Sequence, residues 1–293
     1  MEKVIFDRAN KVYYSEKIMA EKPTLFLYRN PLGRFFLKHF IIKKTASELA
    51  GLYYNSFLSK PKINEFINNY KIDMRLYHKK KYKCFNDFFI RKMKKSSLNI
   101  NKNPRSLISP CYSKLSVFNI SDELIVNIKG CDYTVASLLK DSELANEYKN
   151  GLCLVFRLTV DDYHRYSFFD NGIAGKNVKI PGVYHTVGTI SNGVYNVYSE
   201  NSREYTELFT ENFDKVVFME VGALMVGKIR NKPDVTKFFR GDEKGYFCFG
   251  GSTIILFLKE NTVLIDDDIL ELSKNGTEVK VRLGEKIGTR YVL

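Results

Sequence analysis

Two short runs of strand-forming residues, 246–249 (YFCF) and 253–258 (TIILFL), are separated only by Gly250-Gly251-Ser252. Both runs have the length of strands and are rich in aromatic or β-branched side chains. Paired glycines inside such a pattern mark a bulge, or a point where the backbone takes angles that a side chain forbids. The stretch therefore reads as strand, kink, strand, with a hydroxyl directly after the kink. Local sequence leaves two readings of Ser252 open. It is either a bulge serine that hydrogen-bonds its own turn or a hydroxyl presented by strained backbone for chemistry.

The rest of the chain divides near Pro104. Residues 1–22 read as a strand-forming lead-in, punctuated by Pro23 and Pro31, and Gly33 opens a helical zone that runs to about residue 58. Helix signals restart after Ser59-Lys60-Pro61, with proline near the first turn, and continue to Tyr70. Lys79-Lys80-Lys81 reads as a solvated loop, and residues 84–94 as a short helix carrying Phe85, Phe88 and Phe89, with Arg91 following. Beyond Pro104 come short β runs at 124–128, 152–158, 178–180, 216–219 and 224–229, interrupted by one helix over 134–148 with Thr134 as its N-cap. The predicted class is α+β: a basic helical segment, 1–106, packed on a larger, mainly antiparallel β domain, 107–293.

Charge follows the same division. Residues 1–106 hold 24 Lys+Arg against 8 Asp+Glu, a net of +16, whereas residues 107–293 carry a net of −3. Such asymmetry points to an anionic partner for the first segment, either nucleic acid or an anionic membrane surface. No nucleic-acid fold signature or glycine-aromatic binding motif accompanies the charge, so nucleic acid is not expected. Residues 34–60 supply Phe35, Phe36, Phe40, Ile41, Leu49, Leu52 and Tyr53 beside Arg34, Lys38, Lys43 and Lys44, the composition of a helix lying on anionic lipid. The competing reading packs these aromatics inside the protein. No run reaches the roughly 18 apolar residues of a membrane-spanning helix, and MEKVIFDRANKVYY lacks a signal-peptide core. The expected location is the cytoplasmic face of the membrane, peripherally attached. Five cysteines, odd in number and in no metal-ligand spacing, are expected to be reduced and structural, and no metal is expected.

Five segments carry a resemblance. Gly-Gly-Ser-Thr after an aromatic strand, with Phe85-Asn-Asp-Phe-Phe-Ile-Arg91, Ser109-Pro110, Asp162-Tyr-His-Arg165 and Glu220-Val-Gly-Ala223, is similar in order and spacing to phosphatidylserine decarboxylase proenzymes, from about residue 60 to the C-terminus. The resemblance implies that the chain cuts itself between Gly251 and Ser252. Ser252 would then become a pyruvoyl group, the covalent cofactor that withdraws electrons as carbon dioxide leaves phosphatidylserine to give phosphatidylethanolamine in phospholipid biosynthesis. It also implies two chains that stay together after the cut. A homodimer is left open, and Glu220 is implied to be a wall of the site rather than an acid catalyst.

The same resemblance exposes departures. The family's proton relay uses an Asp shortly after Ser-Pro and the second His of His-Arg-x-His, but this chain has Tyr112 and Ser167 there. Neither replaces a carboxylate or an imidazole near neutral pH. His185, in Pro181-Gly-Val-Tyr-His-Thr-Val187, resembles a firmicute-type branch of the family and would supply the missing imidazole. His164 matches the family histidine that assists decarboxylation, while His39 and His78 read as surface or packing residues. The expected catalytic set is Ser252, His164 and His185. Slow self-cleavage is expected, with either His185 or His164 as base and accelerated by Tyr112→Asp. The alternative is an uncleaved, lipid-binding relative.

Overall fold

The computed structural model describes residues 4–16, 21–42, 44–128, 131–183, 185, 197–222, 229–233, 236–250 and 252–292. Short apolar runs after residue 106 build most of a ten-stranded sheet. Its order is Lys237–Phe238, Gly172–Ile180, Arg203–Thr210, Lys215–Val221, Ser252–Leu258, Leu152–Leu158, Ser113–Asn119, Glu278–Val281, Val4–Asp7, Val12–Ser15. All neighbours are antiparallel except Val4–Asp7 against Glu278–Val281. The α+β class with mainly antiparallel strands therefore holds. Ser252–Leu258 is buried along its whole length, which is why that run is continuously apolar rather than alternating.

One expectation gains its geometry and one is corrected. The runs on either side of Gly250 do not share a sheet: Glu243–Phe247 lies between Ile229–Asn231 and Arg165–Ser167 in a three-stranded sheet, so the kink carries the chain from one sheet to another. Gly250 sits at φ 135, a conformation that L side chains rarely adopt, which explains glycine there. The helix expected over 134–148 is two, Val135–Leu139 and Ser142–Asn146. Lys140 turns left-handed at φ 56, and the Asp141 carboxylate caps the second helix by accepting from Leu144 N, while Thr134 caps the first as expected. Of the strand expected at 224–229, residues 224–228 lie outside those described.

The first 90 residues are not uniformly helical, because Val4–Asp7 and Val12–Ser15 form a hairpin at the edge of the main sheet. Helices follow at Glu21–Arg29, Pro31–Phe36, Lys44–Asn55, Lys62–Tyr70 and Phe85–Phe89, with a π-helical turn at Leu37–Ile41. Asn30 caps the second by accepting from Leu32 N and Gly33 N. Gly33 lets this helix meet the first, since a Cβ there would stand 2.1 Å from the Phe26 carbonyl oxygen. Among the described residues no helix is long and apolar enough to cross a membrane. Cys84, Cys111 and Cys153 are buried thiols without disulfides.

Candidate active site

Ser252 is fully buried at the first position of its strand, opposite Leu158. Among the described residues its Oγ has no hydrogen-bond partner, which is not the pattern of a serine bonded to its own bulge. Leaving a buried hydroxyl unpaired costs about 1–3 kcal/mol, and such groups call for an explanation in function. Gly251, the other half of the expected cleavage site, lies outside the described residues.

From Leu158 the chain turns back through residues 159–164 and brings in His164. The Asp162 carboxylate holds this turn together, accepting from Lys114 Nζ at 2.7 Å, Thr159 N at 2.7 Å and Thr159 Oγ1 at 2.9 Å. Lys114 and Asp162 are both buried, and they form an ion pair inside the fold. The Asp162 carbonyl lies 3.0 Å from His164 Nδ1. A carbonyl can only accept, so Nδ1 carries the proton and a neutral ring keeps its lone pair on Nε2. Burial, reinforced by the nearby Arg91 charge, pushes His164 down to about 3 despite that hydrogen bond, so the ring is neutral at physiological pH. Its Nε2 is buried and, among the described residues, unpartnered.

The helix Phe85–Phe89 locks the geometry. Phe89 lies against the His164 ring at 4.3 Å and against Phe249 at 5.0 Å between centroids. Asn86 Oδ1 accepts from Phe249 N at 3.1 Å, and Phe247 N donates to the His164 carbonyl at 2.9 Å. One five-residue helix thereby positions both the histidine and the segment entering Ser252.

His185 is also buried, and burial pushes it down to about 4. Its Nδ1 faces the Tyr28 hydroxyl at 3.5 Å and its Nε2 the Glu200 carboxylate at 3.5 Å. Asn201 grips its backbone, accepting from His185 N and donating to His185 O, and donates as well to Gly222 O at 2.7 Å. Gly222 follows Val221, which pairs with Thr253, so His185 is tethered to the strand beside Ser252 while its ring is engaged elsewhere. Residues 184, 186 and 187 of its motif lie outside those described.

The two departing positions sit on neighbouring segments, because Ser167 N donates to the Pro110 carbonyl at 2.9 Å. Ser167 is buried. Tyr112 stands edge-on to Tyr163 at 6.0 Å and lines a cleft of about 360 Å³ with Arg282 and Glu285. Tyr112 hydrogen-bonds neither histidine. Glu220 is fully buried on the strand next to Ser252–Leu258, and Lys244 Nζ donates to it. Sequence reasoning passed over Lys114, Asn86 and Lys244. No local signal set Lys114 apart, because Ser113–Asn119 mixes polar and apolar residues.

Comparison with known proteins adds a family. The phosphatidylserine decarboxylase family pattern matches residues 85–289. A relative named phosphatidylserine decarboxylase proenzyme 2, from Clostridium acetobutylicum, is 52% identical over 97% of this chain and 97% of its own length. Phosphatidylserine decarboxylase proenzymes from Clostridium botulinum and Clostridium kluyveri are 46% and 41% identical, each over at least 97% of both chains. With a kink between two sheets leading into a buried serine, and likeness along nearly its whole length to proteins of that name, the chain belongs to the phosphatidylserine decarboxylase family.

Proposed function

We propose that the protein converts phosphatidylserine to phosphatidylethanolamine after cutting itself before Ser252 and turning that residue into a pyruvoyl group. The observation that carries this reading is that Ser252 Oγ and Nε2 of a neutral His164 are both buried and unpartnered among the described residues, on segments that Phe89 joins through its contacts with His164 and Phe249. An unassisted hydroxyl is a weak nucleophile at neutral pH, and a nearby imidazole lone pair is the group that activates it. His164 takes the Oγ proton as Oγ bonds to the Gly251 carbonyl carbon. The carbon–nitrogen bond then breaks, leaving an ester and a free amine on residue 252. Loss of the α-proton expels the Gly251 carboxylate, and water replaces the resulting imine nitrogen, releasing ammonia and leaving a ketone. That ketone, once present, supplies the electron sink for loss of carbon dioxide.

The chain's own residues explain why the cut need not break the protein. Ser252–Leu258 is hydrogen-bonded to a strand on each side, and Arg157 is clamped to Glu278 across the two products. His185 is assigned a positioning role, joining Tyr28 of the first helix to the strand beside the site.

The membrane is the proposed source of substrate. Phe35, Phe36, Phe40, Leu49, Leu52 and Tyr53 are exposed, and of the seven apolar residues expected on this face only Ile41 turns inward, onto the Tyr28 cluster. Arg34 and Lys38 are exposed beside them. Lys43 and the Lys44 side chain lie outside the described residues. An exposed apolar patch of this size, rimmed by cations, fits the cytoplasmic surface of an anionic bilayer. The test is turnover of phosphatidylserine in mixed micelles by purified protein. Release of carbon dioxide with formation of phosphatidylethanolamine, both abolished by hydroxylamine, is the expected result. A fully cleaved protein that releases no carbon dioxide would overturn the reading.

A further inference from the structure

Arg91 is 2% exposed, and its charge is unpaired among the described residues. The guanidinium packs against the rings of Tyr77 and Phe88, its central carbon 4.7 and 4.9 Å from their centroids. Nη1 reaches the Phe89 carbonyl at a long 3.4 Å. The remaining edge, Nε with Nη2, is buried and makes no hydrogen bond among the described residues. That edge presents two parallel N–H donors, the fork that matches two oxygens of a carboxylate or phosphate.

The carboxylates of the surrounding elements are already committed: Asp87 to Lys80 at 2.6 Å, Glu243 to Arg165 at 2.9 Å and Asp162 to Lys114 at 2.7 Å. A buried, unpaired cation is among the costliest features a fold can keep, and ring contacts offset only part of that cost. Its place narrows the purpose. Arg91 follows directly on the helix whose Phe89 touches His164 and whose Asn86 holds Phe249, so an anion on its free edge would lie beside the reacting locus.

We propose that the Nε–Nη2 edge of Arg91 is the receptor for an oxyanion of the substrate head group. The identity of that anion rests on the decarboxylase reading, because phosphatidylserine offers two, a carboxylate and a phosphodiester. The site discriminates by charge and planarity, which a lysine at the same place would reproduce only in part.

The test measures binding to the purified full chain with two probes that lack a primary amine and so cannot react with a ketone. Glycerophosphocholine carries only the phosphodiester, and N-acetyl-O-methylserine only the carboxylate. One of the two should bind. Its affinity should fall by about tenfold or more in Arg91→Gln and by less in Arg91→Lys, the loss expected of one bidentate ionic contact. Whichever probe responds identifies the anion. With phosphatidylserine as substrate, Arg91→Lys should raise KM more than it lowers kcat, a split that loss of packing alone would not give. Failure of both probes to bind the unaltered chain, or unchanged affinity in Arg91→Gln, would overturn the proposal. A chain that binds a probe through Arg91 yet decarboxylates nothing would keep the receptor and sink the activity.

Discussion

Two aromatic helical regions of the same chain meet opposite fates. In residues 26–58, Phe35, Phe36, Phe40, Leu49 and Leu52 face outward, Leu52 with 69% of its surface exposed. In residues 63–89, Ile63, Phe66, Phe85, Phe88 and Phe89 close on one another and on Phe249. Burial of such side chains is worth about 1.5–3 kcal/mol each, so the second region anchors the site and the first leaves that free energy unspent until another surface covers it. The difference teaches that aromatic content does not separate an outward-facing helix from a core helix. What separates them is a sheet to pack on, since Phe249 reaches the second region from the strand junction.

Changes in each region should therefore disturb one function and spare the other. The largest effect is expected at Ser252→Ala and His164→Ala. Each should slow self-cleavage by about 10³ or more, read as the fraction of cut chain over days, with vesicle flotation unchanged. Phe89→Ala comes next. Removing that ring should cost about 3–5 kcal/mol in denaturant unfolding and loosen His164, so cleavage should slow even at temperatures where the chain stays folded. On the other side, replacing Phe36, Phe40, Leu49 and Leu52 together by Ser should weaken binding to anionic vesicles by about a hundredfold while cleavage proceeds normally. Equal flotation on neutral and anionic vesicles would break the comparison, since each nearby Lys or Arg should contribute about 1 kcal/mol at an anionic surface.

Much of this was legible in the sequence. The apolar composition of TIILFL and LCLVFRL marked both as strands, and the glycines at 250 and 251 marked the kink. The sheet change at that kink was not legible, because a strand's partners are set by residues far away, here 152–158 and 215–221 on one side and 165–167 on the other. The split at Lys140 was hidden for a local reason, since left-handed backbone at a lysine leaves no sequence mark. At the site, Ser252 and His164 could be chosen from residue type and motif. The Nδ1 tautomer of His164 and the idle edge of Arg91 could not, because both depend on what packs around them.

Smaller effects sharpen the account further. Because Pro110 and Ser167 are hydrogen-bonded neighbours, Tyr112→Asp combined with Ser167→His should speed cleavage by at least about tenfold, and by more than the product of the two single changes. The pH response should be the mildest. His164 and His185, pushed down to about 3 and about 4 from the ordinary 6.5, stay neutral in the fold but charge in the unfolded chain, which binds more protons below about pH 6.5. Their share of stability is therefore complete above that pH and is lost as pH falls toward 4 and 3. The cleavage rate should stay nearly flat from about pH 5 to 8, because the base is already unprotonated throughout.

The central claim is self-cleavage before Ser252, and intact-mass spectrometry of the purified chain followed over days tests it most directly. The account predicts two fragments, residues 1–251 and a smaller one starting at position 252 with no free amine at its N-terminus, whereas Ser252→Ala remains whole. If only the intact chain is ever seen, even with Tyr112→Asp and Ser167→His in place, the account is contradicted and the protein is an uncleaved lipid-binding member of its family.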